Sequence, residues 1–120
     1  MLFDGENILI CEDEPFIALD LAASVEEAGG RVVGPAASIA EAERLLASAT
    51  VQGAILDVHL TDGEVTPVAQ RLMEAGIPVI VQTGVGLPDI LRERYPDLRA
   101  YQKPVPARRL VEELAKLLSG

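Results

Sequence analysis

The sequence has no tryptophan, one cysteine, one histidine and only two residues each of phenylalanine and tyrosine. Because Cys11 is alone, it cannot form an internal disulfide, which fits a reducing compartment, and its apolar neighbours predict a buried side chain. A lone cysteine and the lone His59 also leave no cluster of zinc ligands. No apolar run reaches the length of a membrane span, and no basic and apolar leader opens the chain. We therefore expect a cytoplasmic protein that does not bind membranes.

Basic residues are scarce in the first half of the chain. The net charge is −9, which argues against direct DNA binding because the phosphates would repel the protein. Residues 1–64 hold 13 acids and 2 bases, whereas residues 65–120 hold 6 acids and 8 bases. This asymmetry favours two surfaces with different functions, and the alternative is a chance scatter of solvated charges.

Alternating strand and helix patterns fill the chain, which is predicted to form one domain over residues 1–120. Amphipathic helical patterns follow each of the predicted strands, and Ser38 with Glu41 forms a capping box. Pro88 and Pro96 limit the fourth helix to a short, weak one. This alternation predicts a doubly wound parallel α/β sheet with helices on both faces and the strand order 2-1-3-4-5. The predicted strands span residues 7–11, 31–34, 53–57, 78–82 and 99–102.

Polar side chains follow four of these strands. Glu12 and Asp13 come after the first strand, Asp57 closes the third, Thr83 follows the fourth and Lys103 follows the fifth. Because parallel strands end at the same edge of a sheet, these side chains are expected to meet there. In the order 2-1-3-4-5, the first and third strands flank the crevice in which such sheets bind ligands.

The chemistry of this set points to a metal and a phosphoryl group. Three close carboxylates repel one another unless a divalent cation joins them, and ligation by oxygen alone suits Mg²⁺. A carboxylate held in this way can attack phosphorus and form an acyl phosphate. Lys103 and Thr83 would then supply a cation and a hydroxyl to the phosphoryl oxygens. Asp57 follows the apolar residues Ala54, Ile55 and Leu56, which are typical of a buried strand, and it is the predicted nucleophile.

These residues match a known family. Over essentially its whole length, the chain resembles the receiver domain of two-component response regulators. Five motifs carry the resemblance: the acidic turn Glu12-Asp13-Glu14-Pro15, Asp57 after Ile55-Leu56, Thr83-Gly84, Tyr101, and Lys103-Pro104. They resemble, in that order, the family's acidic motif, phosphoacceptor, switch pair, aromatic switch, and lysine followed by a cis-proline peptide.

The resemblance implies a flavodoxin-like (βα)5 fold and a phosphoryl donor that is a sensor histidine kinase or a histidine phosphotransfer protein. It implies that Asp13, Asp57 and the backbone carbonyl of His59 bind Mg²⁺ directly, whereas Glu12 acts through water. Such a protein is not an enzyme beyond its own phosphorylation and dephosphorylation.

The resemblance also implies a conformational switch. Phosphorylation would draw Thr83 toward the phosphate and repack Tyr101. These movements would alter the face made by the fourth helix, fifth strand and fifth helix, where a downstream protein partner would bind. The stretch Val-Gln-Thr-Gly-Val-Gly at 81–86 is similar to the Phe-Ala-Thr-Gly-Tyr pattern of a subgroup that is often single-domain, with Gln82 and Val85 as departures.

Three alternatives stay open. The chain could be a receiver from a hybrid kinase or a larger regulator, although no output domain is expected within these residues. An aspartate-nucleophile phosphatase would need a second aspartate two residues after Asp57, where the chain has His59. An inert receiver-like interaction domain would need a broken site, whereas the acids, Thr83 and Lys103 are all present.

Overall fold

The computed structural model describes all 120 residues. All five predicted strands are present, and a two-stranded hairpin that the sequence did not predict follows the third. The strands are β1 (Asn7–Cys11), β2 (Arg31–Ala36), β3 (Gly53–Asp57), β4 (His59–Leu60), β5 (Gly63–Glu64), β6 (Val79–Thr83) and β7 (Arg99–Gln102). The helices are α1 (Pro15–Glu27), α2 (Ile39–Ser48), α3 (Thr66–Glu74), α4 (Asp89–Arg94) and α5 (Ala107–Ser119).

The main sheet is parallel throughout, in the order β2-β1-β3-β6-β7. This is the predicted order 2-1-3-4-5 once the hairpin β4–β5 is set aside, so the flavodoxin-like α/β fold is confirmed. The strands β1 and β3 are neighbours in the sheet. The strand order continues from β1 to β2 on one side, and from β3 to β6 and β7 on the other side. The longest helices, α1 and α5, have 13 residues each, and none of the helices is long and apolar enough to cross a lipid bilayer.

Alternate side chains of the central strand β3 enter two separate cores. Ile55 packs with residues of α1 and α5, whereas Leu56 packs on the other face with residues of α2, α3 and α4. All five residues of β3 are buried, as expected for a strand covered on both faces. Since side chains alternate along a strand, Asp57 lies on the same face as Ile55, the face covered by α1 and α5.

Two strand boundaries differ from the prediction. β2 runs to Ala36 rather than ending at residue 34, because Gly34 adopts a positive φ of 97° and the pairing with β1 shifts register between Leu9 and Cys11. β6 begins one residue later than predicted and includes Thr83. The fourth helix is short, as predicted, with six residues.

Candidate functional site

A row of buried polar side chains crosses the carboxyl edge of the sheet. Asp57 of β3 pairs with Gln82 of β6, and Gln82 pairs with Tyr101 of β7. Glu12 directly follows β1, where Cys11 pairs with Leu56. Three residues of this row are almost fully enclosed, with exposed fractions of 2% for Glu12, 5% for Asp57 and 2% for Gln82.

Lys103 closes one side of this row. Its Nζ donates to Oδ2 of Asp57 at 2.9 Å and to Oε1 of Glu12 at 3.4 Å. The backbone N–H of Lys103 donates to the carbonyl of Thr83 at 2.9 Å, and the peptide bond to Pro104 is cis, as the resemblance implied. Burial alone would lower the pKa of Lys103, but the hydrogen bond to Asp57 and the charges of Glu12 and Asp57 outweigh burial and raise that pKa.

Glu12 is held by three donors. Besides Lys103, the side-chain amide of Gln82 donates to Oε1 at 2.8 Å, and the backbone N–H of Glu14 donates to Oε2 at 3.2 Å. Burial and, to a smaller extent, contact with Asp57 together raise the pKa of the Glu12 carboxyl to about 7, although the Glu14 amide and Lys103 oppose the rise. The carboxyl of Glu12 therefore titrates near neutral pH when no cation is bound.

The acids of the site are close enough to share a cation. One carboxylate oxygen from each of Glu12, Asp13 and Asp57 lies within 4.8 Å of the other two. Asp13 is exposed, so it faces the solvent from which an ion would enter. Three carboxylates with room for water form the kind of donor set that Mg²⁺ prefers, and the residues therefore fit the predicted metal.

The hairpin β4–β5 extends the site beyond Asp57 and carries His59, whose side chain is exposed. The hairpin is tied to the start of α2, because the carboxylate of Asp62 accepts from the backbone N–H groups of Ile39 at 2.7 Å and Ala40 at 3.2 Å. These hydrogen bonds lower the pKa of Asp62, and the bond from Ile39 has the larger effect. The turn of the hairpin is therefore anchored to α2, outside the acidic cluster.

Thr83 is at the predicted place, but its hydroxyl is bonded within its own loop. Oγ1 accepts from the backbone N–H groups of Val85 at 3.1 Å and Gly86 at 2.9 Å, and it donates to the carbonyl of Gly86 at 2.9 Å. The loop that contains Gly84 thus folds back on the threonine as an ST-turn. The side chain of Thr83 makes no hydrogen bond to Asp57 or to Lys103.

Tyr101 is half-buried beside the same edge. Its hydroxyl donates to Oε1 of Glu113 on α5 at 3.2 Å, and the guanidinium of Arg109 lies 5.5 Å from the centre of its ring. A hydrogen bond from Lys116, with a smaller contribution from Tyr101, lowers the pKa of Glu113. Tyr101 therefore links the sheet edge to α5.

An apolar surface borders the acids on the α1 side. Phe16 and Leu19 of α1 have exposed fractions of 80% and 66%. Other residues of the same helix line a groove of about 400 Å³ between α1 and the start of α5, with Ile17, Gln82 and Pro104 among its lining residues. Exposed apolar side chains beside a groove are a common feature of protein-binding surfaces.

Sequence reasoning placed Glu12, Asp13, Asp57 and Lys103 at one edge, and the structure brings these four together. The contact of Gln82 with Glu12 was not predicted, since Gln82 was noted only as a departure from a subgroup pattern. The sequence does contain a signal for this contact, because Gln82 is a polar residue in a buried strand and lies on the same face as Ile80. Cys11 is fully buried, as predicted, and burial raises the pKa of its thiol to about 12.

Comparison with known proteins gives three informative matches, although no protein-family model matches the chain. The phyllosphere-induced regulator PhyR of Methylorubrum extorquens is 42% identical over 80 residues, which cover 64% of this chain and 30% of PhyR. The solution structure of SdrG from Sphingomonas melonis Fr1 is 31% identical, with 98% of this chain and 99% of SdrG covered and a TM-score of 0.78. The crystal structure of the response regulator PhyR from Brucella abortus is 28% identical, with 96% of this chain and 48% of that one covered and a TM-score of 0.77.

The extent of these matches differs. The chain spans nearly the whole of SdrG, but less than a third of the Methylorubrum PhyR and about half of the Brucella protein.

Proposed function

Because this chain belongs to the receiver domains of response regulators, we propose that Asp57 accepts a phosphoryl group from a sensor histidine kinase or a histidine phosphotransfer protein. The observation that carries the proposal is the environment of Asp57. Its buried carboxylate accepts from Lys103 at 2.9 Å and lies among two further carboxylates suited to a cation. The phosphoryl group of either donor originates from ATP through a histidine kinase, so the proposal places the protein in the cytoplasm.

The transfer follows from this geometry. A carboxylate oxygen of Asp57 attacks the phosphorus of a phosphohistidine, the N–P bond breaks, and the imidazole leaves and takes up a proton from water. Lys103 stabilises the negative charge that spreads over the phosphoryl oxygens during the transfer. Asp57 ends the fully buried strand β3, which holds the nucleophile in place, so little reorganisation precedes the attack.

Asp13, Asp57 and the backbone carbonyl of His59 would hold Mg²⁺, and Glu12 would hold one of its waters. When bound, the ion neutralises part of the charge of the carboxylates and of the incoming phosphoryl group. The close approach of the three acids supports this assignment, and so does the anchoring to α2 of the hairpin that carries His59.

The phosphoryl group would change the surface through Thr83 and Tyr101. The Thr83 hydroxyl would leave its bonds to the loop of Gly84–Gly86 and donate to a phosphoryl oxygen. Tyr101 would then repack, with loss of its hydrogen bond to Glu113. Both residues border the face formed by α4, β7 and α5, which we propose binds a downstream protein in a phosphorylation-dependent way.

The donor would approach over α1. Phe16 and Leu19 form an exposed apolar pair just after the acidic turn, and the groove between α1 and α5 opens beside Lys103. This surface has the right position to hold the helix that carries a phosphohistidine close to Asp57. We therefore assign it to donor docking.

Intact-mass spectrometry tests the function directly. The protein is incubated with MgCl₂ and acetyl phosphate, a small phosphodonor, and the expected product carries one phosphoryl group that is stable in acid and labile in base. Asp57→Asn and excess chelator should each abolish it. An adduct in Asp57→Asn, or none in the native protein, would contradict the proposal. Repeated turnover of phosphate esters would favour a phosphatase instead.

A further inference from the structure

Gln82 is a buried amide in the middle of the acidic site. It lies at the carboxyl end of β6 with an exposed fraction of 2%, and β3 separates its strand from β1. Its side chain reaches across β3, and Nε2 donates to Oε1 of Glu12 at 2.8 Å. A buried amide group is costly unless it is hydrogen-bonded, so this contact fixes the orientation of both side chains.

The amide is the nearest of the donors to Glu12. Lys103 reaches the same oxygen only at 3.4 Å, while it lies 2.9 Å from Oδ2 of Asp57. The backbone N–H of Glu14 takes the other oxygen at 3.2 Å. Gln82 therefore supplies the shortest hydrogen bond to Glu12, and the contact of Lys103 with the same oxygen is longer than its contact with Asp57.

We propose that Gln82 is a positioning residue for the metal site: it fixes the carboxylate of Glu12 and leaves Lys103 to Asp57, and it thereby sets the affinity for Mg²⁺. This inference rests on the proposed function. Gln82 touches neither the ion nor the phosphoryl group in this account and acts through Glu12 alone.

The physical reason is preorganisation. Groups that orient the ligands of a metal typically change its affinity by about 10- to 100-fold when they are removed. Without the amide, Glu12 is free to rotate, or it draws Lys103 away from Asp57. Glu12 is assigned to a metal-bound water rather than to the ion itself, so we expect roughly a tenfold effect, at the lower end of that range.

The test is a titration of the full chain with MgCl₂ alone, followed by nuclear magnetic resonance. Gln82→Met keeps the length and volume of the side chain but removes the donor, and it should weaken Mg²⁺ binding by roughly tenfold. Gln70→Met, on α3 away from the acids, is the matched control and should bind as the native protein does. If Gln82→Met fails to fold, Gln82→Leu takes its place, and circular dichroism verifies the fold of each variant.

A double-variant cycle separates positioning from a structural role. In a Glu12→Gln background, Gln82→Met should cause no further loss of Mg²⁺ affinity, because the residue through which it acts is already altered. An equal loss in both backgrounds would overturn the inference, and so would equal affinity of Gln82→Met and the native protein. A native protein that binds no Mg²⁺ would instead overturn the metal assignment of the proposed function, and this inference with it.

Discussion

The ammonium of Lys103 lies between two buried carboxylates, 2.9 Å from Oδ2 of Asp57 and 3.4 Å from Oε1 of Glu12. The side chains of both acids are almost fully enclosed, whereas Lys103 retains an exposed fraction of 26%. One partly exposed cation therefore contacts two buried carboxyl groups at the point where β1 and β3 end. A phosphoryl group arriving at Asp57 would meet this cation.

Replacement of Lys103 should impair phosphoryl transfer. Removal of a single donor that stabilises charge in a transition state typically costs about 10²- to 10³-fold in rate. We expect Lys103→Met to slow phosphorylation of Asp57 by acetyl phosphate about a hundredfold, measured by intact mass against time.

The control for that variant is Lys116→Met on α5, where the lysine is exposed and paired with Glu113. This substitution also removes one positive charge from the protein, but it leaves the charges of the site unchanged. Asp57 of this variant should therefore be phosphorylated at the native rate. Similar rates for Lys103→Met and Lys116→Met would refute the role given to Lys103.

The stability of the metal-free protein should depend on the ionisation of Glu12. Its pKa is raised from 4.5 to about 7 in the folded state, so the folded protein holds this proton more tightly than the unfolded chain does. The resulting stabilisation is fully present below pH 4.5 and is lost as the pH rises through 7.

Urea unfolding in the presence of chelator measures this effect. The free energy of unfolding of the native protein, relative to that of Glu12→Gln, should fall by on the order of 3 kcal/mol from about pH 4.5 to about pH 7.5. A difference that stays constant across this interval would show that Glu12 titrates normally.

The apolar pair on α1 should matter for a protein donor only. Phe16→Ala with Leu19→Ala removes exposed side chains, so the fold should be unaffected. We expect the rate of transfer from a phosphorylated histidine protein to fall at least tenfold. A tenfold change corresponds to about 1.4 kcal/mol of binding free energy, which is typical for the loss of an important interface side chain. Transfer from acetyl phosphate should keep its native rate. If both reactions slow equally, the pair acts on the site rather than on docking.

The segment 84–96 should open more readily than the long helices. α4 has six residues and a single buried residue, Leu91, whereas α1 and α5 have 13 residues each, with three and five buried residues. Amide hydrogens of 84–96 should exchange faster than those of the other helices, α1 and α5 above all, as measured by mass spectrometry. Equal protection in the three helices would contradict this expectation.

Much of the fold could be predicted because its signals are local. The continuous apolar run of β3 and the capping box at Ser38 are visible in the sequence, and the hydroxyl of Ser38 does accept from the backbone N–H of Glu41 at 3.0 Å. The hairpin β4–β5 could not be predicted, since strands of two residues in a polar stretch carry no periodicity. The extension of β2 depends on the backbone of Gly34, which the composition of that strand does not reveal.

The site was predictable to the level of strand ends. Parallel pairing alone brings Glu12, Asp57 and Lys103 to one edge. The hydrogen bond between Gln82 and Glu12 depends on the rotamers of two buried side chains across a third strand, and no local pattern records it. The bonds of Thr83 to Gly86 likewise arise from a loop conformation that its glycines leave unspecified.

The location of the phosphoryl group on the chain is the decisive measurement of phosphoacceptor identity. After reaction with acetyl phosphate and MgCl₂, borohydride reduces an aspartyl phosphate to homoserine, and tandem mass spectrometry identifies its position in the chain. We expect modification at Asp57 alone, and none when Mg²⁺ is removed. Modification at Asp13 or Glu12, or an unmodified chain, would contradict it.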